Sequence, residues 1–445
     1  PKCYKKNKLQ KKPWWCEELS NMWRDVCEKE KTWLKHKGSS KQSLKRDFVT
    51  ARRTFSYTHR KKKRQYQKGI QDELSNLCSE NHTEFWRAIK SVGIQKKEQL
   101  PCAIKDTQGE MITENELVKE QWLYHFNNLH NTSNSEHDED HQNRIIHFLN
   151  RYKNDVEMDN TENDLNCDIT LAEVTKSVLR SKLNKSCGSD NLYAEVFKND
   201  AVIRVFYTLF NYCFLHNTVP DVWKKGLISP IHKSGDLYST SNYRGITLQN
   251  VACKIYSDVL NNRLLRWLEA NDKINEEQNG FRPGRSCEDH IYLLNSIVRT
   301  CLAENKQVFG CYVDFRQAFD KIDRNCLWYK LIVTGVKGRM LNAIKTLYED
   351  VKCCVKLNNG FGTTNTFPVT IGLKQGCKLS TSLFNVYIND LCNDLNELQL
   401  GVKMGDNRMS LLMYADDLVL LSNTATDLQK MLDCLTTWCN ECGEW

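Results

Sequence analysis

No apolar run in this 445-residue sequence approaches the roughly 20 residues that span a bilayer. The Lys-rich N-terminus has no apolar segment behind it to make a signal peptide. These absences set the expectation of an intracellular protein, nuclear or cytoplasmic, with no membrane partner. Gly and Pro are nearly absent between residues 14 and 95, so little there interrupts a helix. The 20 cysteines are scattered over a chain long enough for large cores and no secretory signal accompanies them, which argues for reduced thiols rather than a disulfide framework. Cys434, Cys439 and Cys442 have ligand-like spacing, but no His or second Cys pair follows them, so a zinc site is not expected. No internal repeat is visible.

What is present is a globular composition, 40% hydrophobic and 27% charged, with length enough for two or three domains. The formal charge of +8 hides an asymmetry: residues 1 to 68 hold 22 Lys and Arg against six Asp and Glu, a net of +16, so the other 377 residues sum to −8. Such an arm suits the phosphate backbone of nucleic acid. Within it "RKKKR" at 60 to 64 offers Lys61, Lys62 and Lys63 as template or primer contacts; a solvated helical face or a nuclear-import signal is the plainer reading.

Residues 14 to 95 are expected to be helical, with Trp23, Val26 and Trp33 at helix-like spacing and "EFWRAIKSVG" closing on a Gly. This gives a basic helical extension over 1–95. Residues 96–168 are expected to be a connecting region, mostly an acidic linker from Asn131 to Asp168 with a short helix around "RIIHFLNRY". From residue 169 the texture changes. "ITLAEVTKSVLRSKL" reads as an amphipathic helix capped by Thr170, and "VFYTLFNYCFLHNTVP" as a helix too apolar to be exposed. Short strand-like pieces follow in "GLISPIHK", "YRGITL", "VFGCYVDF" and "VKCCVKLNNGFGTTNTFPVT", with helices between them. An antiparallel sheet backed by helices is the α+β pattern.

"LLMYADDLVLLS" at 411 to 422 reads as a β-hairpin with its tight turn at Ala415-Asp416-Asp417. In "VFGCYVDFRQAFDKID" a strand ends at Asp314 and a helical segment is expected after it, with Phe315, Ala318 and Phe319 on one side. An aspartate at a strand end can meet a hairpin tip on a neighbouring strand. Three carboxylates without His or Cys favour a hard cation such as Mg²⁺ over zinc. Two such ions about 3.5 to 4 Å apart can clamp a phosphoryl transfer. The bland alternative is that Asp416 and Asp417 are only a polar hairpin tip. Asp320 and Asp323 read as helix-surface or capping acids.

"YADD" in an apolar hairpin, "VDFRQAFDKID" about 100 residues before it and "IGLKQGCKLSTSLFNVYINDL" between them resemble the successive palm motifs of reverse transcriptases. "LISPIHKSGDLYSTSNYRGITLQNVACKIYSDVLNNRL" and "INEEQNGFRPGRSCEDHIYLL" narrow the resemblance to the enzymes of non-LTR retrotransposons, from about Asp168 to the end. "KPWWCEEL" and "EFWRAIK" are similar to the segment joining endonuclease to polymerase in those elements. The resemblance implies right-hand polymerase fingers and palm over 169–445 and RNA-directed DNA polymerase activity. Asp314, Asp416 and Asp417 would hold two Mg²⁺ ions, with Mn²⁺ a possible substitute. Lys233 and Arg244 would hold the triphosphate, Phe319 would exclude the ribose 2′-hydroxyl, and Gln375, between Gly372 and Gly376, would lie against the nucleotide or template. Ser380 is expected to cap the helix that follows. Arg282 and Arg285, presented by the Pro283-Gly284 turn, are expected at template phosphates.

The implied partners are an RNA template, a DNA primer or target, dNTP and the element's own RNA as a ribonucleoprotein. Lys378 and Thr381 depart from the family pattern, which has Pro at the second position. The chain opens on Pro1 and stops at "CNECGEW", where relatives continue into a thumb, so a truncated piece of a longer reading frame is expected. The alternative function is a catalytically silent relic that still binds RNA or DNA.

Overall fold

The computed structural model describes residues 12–80, 84, 100–131, 139–155, 164–357, 362–405 and 407–442. Apart from Glu84, the expected helix at "EFWRAIKSVG" lies outside the described residues. The chain divides into two compact units, Pro1–Lys97 and Glu98–Trp445.

In the first unit, α1 (Glu17–Lys35) and α2 (Lys41–Glu80) form a helical hairpin. Trp33 stacks on Phe48, Trp23 meets Phe55 at 5.0 Å, and Trp14 meets Tyr66, so the pairing runs antiparallel. Among its described residues Leu19, Val26 and Phe48 are buried apolar side chains, and ring contacts from Trp14, Trp15, Trp23 and Trp33 run along the seam.

The second unit begins with a small hairpin, β1 (Ile104–Lys105) with β2 (Met111–Ile112), then α3 (Asn115–Asn131) and α4 (Glu139–Asp155). The short helix expected around residues 144 to 152 is therefore a 17-residue helix whose Ile145 and Leu149 enter the main core. Next come α5 (Leu171–Arg180) and α6 (Asp200–His216). Thr170 caps α5 as expected and closes a capping box with Glu173. The apolar α6 buries Phe206, Phe210, Cys213 and Phe214 but exposes Val205, Tyr212 and Leu215, so it is a one-sided helix rather than an enclosed one.

Strands β3 (Lys225–His232) and β4 (Tyr243–Leu248) pair antiparallel, and α7 (Val251–Ala270) and α8 (Cys287–Ala303) follow. Then come β5 (Phe309–Asp314), α9 (Arg324–Thr334), α10 (Gly338–Thr346), β6 (Lys352–Leu357), β7 (Gly362–Thr363) and β8 (Phe367–Pro368). β6 lies parallel to β3, so this sheet is mixed where the sequence suggested antiparallel pairing throughout. Ile228, Tyr243, Val355 and Phe367 from it pack with Trp122 and Phe126 of α3 in a core of their own.

The chain ends in α11 (Leu379–Glu397), the short pair β9 (Val402–Met404) and β10 (Asn407–Met409), the hairpin β11 (Leu411–Tyr414) with β12 (Asp417–Ser422), and α12 (Ala425–Cys442). The hairpin pairs through β12 with β5, giving a three-stranded antiparallel sheet in the order β11-β12-β5. One face of this sheet, with Leu411, Met413, Leu418 and Leu420, enters the main helical core. The other, with Leu412 and Leu421, is covered by Ile297 and Cys301 of α8. Cover on both faces of β11 and β12 explains why the hairpin reads as an apolar run rather than an alternation.

Arg263 of α7 ties the α5 cap to this core. Its Nε and Nη2 donate to Glu173 at 2.7 and 2.8 Å, Nη2 also donates to the Asp168 carbonyl at 2.6 Å, and Nη1 donates to the Cys167 carbonyl. Burial alone would raise the Glu173 carboxyl, but hydrogen bonds from Arg263 and Thr170 outweigh it and hold the pKa down at about 2. Glu173→Ala leaves a buried guanidinium without its carboxylate and is expected to cost roughly 3 kcal/mol in urea unfolding at neutral pH. Because the folded pKa is depressed, that contribution is present above about pH 4.5 and is lost as pH falls toward about 2. A difference between variant and parent that did not shrink in acid would refute the ion pair as its source.

Candidate active site

The register of β5 and β12 sets Asp314 directly opposite Asp417, with Cα atoms about 4.5 to 5.5 Å apart as in any antiparallel pair. Directly opposed residues share a face, so both carboxylates project from the same side of the sheet end. The sequence predicts a three-residue turn. In the structure Tyr414 pairs with Asp417, so Ala415 and Asp416 alone make the turn and Asp417 opens β12. Asp314 and Asp417 are exposed and Asp416 is half-buried, so the acids stand at the open end of a sheet whose β11 and β12 are largely buried and whose edge strand β5 alternates half-buried and exposed. Partial burial, then the neighbouring Asp416 and Asp314 charges, raise the Asp417 pKa. That mutual repulsion is what a bound cation relieves. Among the described residues no three His, Cys, Asp or Glu groups already converge at ligating distance. The fit to a metal therefore rests on an oxygen-only donor set that suits Mg²⁺ rather than zinc.

The turn is held from outside the hairpin. Ala415 has φ of 59°, a left-handed conformation in which a two-residue turn prefers Gly. Gln278, 1% exposed, clamps it: Oε1 accepts from Ala415 N at 2.9 Å and from Gly280 N at 2.7 Å, while Nε2 donates to the Ala415 carbonyl at 3.2 Å. Asn279 N donates to the Met413 carbonyl and Met413 N to the Glu277 carbonyl, each at 2.9 Å, so residues 277 to 279 run alongside β11 as an extra rung. Gly280 is required by this approach, since a Cβ there would lie 2.1 Å from Ala415 N. Sequence reasoning passed over Gln278, although a Gln two residues before a Gly in a loop was the available signal.

A second group gathers around the turn after Asp314. The helix expected there does not form: residues 316 to 320 are turns, Gln317 takes φ of 55°, and α9 starts only after Asp323, which caps it by accepting from Cys326 N at 2.7 Å. Phe315 and Ala318 are buried as expected, and Phe319 stacks on Phe384 of α11 at 4.6 Å. Asp320, expected at a helix surface or cap, is instead buried, because the turn directs it inward. It accepts from Gln375 Nε2 at 2.6 Å. Gln375 in turn accepts from Thr247 N through its carbonyl at 3.0 Å, which ties the loop to β4. Burial pushes the Asp320 pKa up to about 7, against the opposing pull of Arg244, Lys233, Lys321 and the Gln375 hydrogen bond. Lys233 and Arg244 are exposed cations at the open end of the β3-β4 hairpin, and both act on this carboxyl. Gly372 is also required, since a Cβ there would lie 2.4 Å from the Asp320 carbonyl oxygen.

Other expected contacts lie elsewhere. Arg282 is buried and cannot reach template phosphates: its guanidinium donates to both Glu269 oxygens at 2.8 Å and to the Asn275 and Gln278 carbonyls. Arg285 is half-exposed and paired with Glu276 at 2.5 Å. Ser380 does not cap α11, which begins one residue earlier; it sits buried in the first turn and donates to the Lys374 carbonyl at 2.9 Å. In the other unit Lys62 pairs with Glu18 at 2.9 Å and Lys63 lies over the Trp14 ring, while Lys61 is exposed.

Two substitutions test this geometry. Gln278→Ala leaves the Ala415 N–H and carbonyl and the Gly280 N–H without their partner, and is expected to cost about 2 to 4 kcal/mol in urea unfolding. A loss under about 0.5 kcal/mol would mean the clamp contributes nothing. For Asp320 the folded pKa is raised, so its contribution to stability is complete below about pH 4 and is lost as pH rises through about 7. Asp320→Asn removes that loss. Relative to the parent the variant is expected to gain stability between about pH 5 and about pH 8, by up to on the order of 3 kcal/mol. A pH-independent difference would contradict the burial.

The family model described as "Reverse transcriptase (RNA-dependent DNA polymerase)" matches residues 231–444. The chain is 27% identical over 270 residues to the "Transposon TX1 uncharacterized 149 kDa protein" of Xenopus laevis, covering 60% of this chain and 20% of that protein. It is 27% identical over 237 residues to the "Retrovirus-related Pol polyprotein from type-1 retrotransposable element R2" of Popillia japonica, covering 53% and 32%. It is 23% identical over 279 residues to the "RNA-directed DNA polymerase from mobile element jockey" of Drosophila melanogaster, covering 61% and 30%. The matches thus take in between a fifth and a third of these relatives' length. Motif order, strand register and relatives agree: residues 231–444 match the reverse transcriptase family, and the chain is similar there to the proteins of non-LTR retrotransposons.

Proposed function

We propose that this chain carries out RNA-directed DNA synthesis, transferring a nucleotidyl group from a dNTP to a primer 3′-hydroxyl on an RNA template. The observation that carries the proposal is the register that opposes Asp314 to Asp417, with Asp416 in the adjoining turn. When bound by these three carboxylates, two Mg²⁺ ions, or Mn²⁺ in their place, lower the pKa of the attacking hydroxyl and stabilise the leaving pyrophosphate.

The chain's own residues supply position and charge. Lys233 and Arg244 offer an ammonium and a guanidinium to a triphosphate, the latter able to bond two oxygens at once. Phe319, fixed by its stack on Phe384, presents a rigid ring where a ribose 2′-hydroxyl would otherwise sit. Gln375 is oriented by Asp320 on one side and β4 on the other, so its loop can approach the nucleotide without rearranging. The basic hairpin of the first unit supplies phosphate contacts, and the element's own RNA is the natural template.

Asp416→Asn is isosteric and removes one charge. It is expected to leave the unfolding midpoint nearly unchanged and to reduce Mg²⁺-dependent primer extension by at least about 10³-fold, the effect of losing a few kcal/mol of electrostatic stabilisation. Extension at the parental rate would sink the metal assignment. A parent that binds template but never extends would favour the silent relic.

A further inference from the structure

Between Lys41 and Gln71 the sequence holds eleven Lys and Arg and a single acid, Asp47. The structure sorts these cations by what they face. Four are engaged within the hairpin: Lys62 with Glu18 at 2.9 Å, and Lys45, Lys63 and Arg52 over the rings of Trp33, Trp14 and Phe48 at 5.8, 5.5 and 5.8 Å. Six others, Arg46, Arg53, Arg60, Lys61, Arg64 and Lys68, are all exposed. At about 100° per residue these six fall in one arc roughly 100° wide, facing away from α1. That arc contains no acid, and among the described residues none of the six is in an ion pair.

The ligand class follows from the geometry. From Arg46 to Lys68 the stripe is roughly 33 Å long at 1.5 Å per residue, close to one turn of duplex, about 34 Å. The helix fixes these charges in a straight row, which suits a stiff polyanion with regularly spaced phosphates. Single-strand sites add to such a cationic groove aromatic platforms on which successive bases stack. On this arc the only aromatic is Tyr57, while Trp14, Trp15, Trp33, Phe48 and Phe55 are in ring contacts inside the hairpin. Four of the six cations are Arg, whose planar fork matches a phosphate.

We propose that the outward stripe of α2 is a docking track for the sugar-phosphate backbone of double-stranded nucleic acid, bound without base readout. The proposal deepens the reading of the basic hairpin as a phosphate contact and rests on it. It commits to a face that excludes Lys62 and Lys63.

The test uses the full chain. One variant carries Arg53→Gln, Arg60→Gln, Arg64→Gln and Lys68→Gln. A charge-matched control carries Arg24→Gln, Lys31→Gln, Lys35→Gln and Lys37→Gln, all exposed positions outside α2. Binding of a random-sequence DNA duplex of about two turns, and of oligo-dT of equal length, is followed by fluorescence anisotropy from about 50 to 200 mM salt. The stripe variant is expected to lose about 3 to 4 from the slope of log affinity against log salt on the duplex, and the control less than about 1. Equal slope changes in the two variants would overturn the track, as would an oligo-dT loss as large as the duplex loss. Primer extension by the parent is assayed separately. A parent that fails to extend but shows the expected slope change supports the track while refuting polymerase activity.

Discussion

The candidate site depends on one pairing, β12 against β5. Strand register moves in whole residues, and a slip of one would turn Asp417 to the opposite face and its apolar neighbours with it. The slip is opposed on both faces at once, by Leu418 and Leu420 in the helical core and by Leu421 against α8. The carboxylates are therefore fixed by hydrophobic contacts several residues away, while their own end of the sheet stays open to solvent.

Around that pairing the charges are arranged by burial. The three aspartates at the sheet end are left exposed or half-exposed and repel one another. Asp320, a short way along the same chain segment, is the reverse: enclosed and held by a Gln amide, with the exposed Lys233 and Arg244 acting on it from the neighbouring hairpin. Carboxylates six residues apart thus meet opposite environments. The intervening turn, with Gln317 in a left-handed conformation, accounts for the change of direction.

That turn also marks where the sequence stopped being readable. The hairpin was legible because two acids interrupt an apolar run, and the Asp314 strand end because a short strand-like run stops there at a carboxylate. Phe315, Ala318 and Phe319 sit at helical spacing and suggested a helix, and nothing in the residues announces that Gln317 breaks it. Arg282 beside a Pro-Gly turn looked exposed; its partner Glu269 lies at the end of the preceding helix, a tertiary contact that charge alone does not encode. The length of α4 was hidden for a similar reason. Its sequence is mostly polar, and the side chains that anchor it, Ile145 and Leu149, are two residues in an acidic stretch whose meaning depends on the core they meet.

The clamp of Gln278 on Ala415 spans 137 positions of sequence, and Asp314 meets Asp417 across 103 positions. Neither contact has a local substitute: a hairpin cut from its surroundings would hold Ala415 in a conformation that disfavours a side chain, with nothing to compensate. Loop closure over such separations is slow and entropically costly. The constellation thus depends on contacts between segments far apart in sequence. A shorter piece of the chain lacking either residues 275 to 280 or β5 would still contain the Ala-Asp-Asp turn, yet could not present the three carboxylates together.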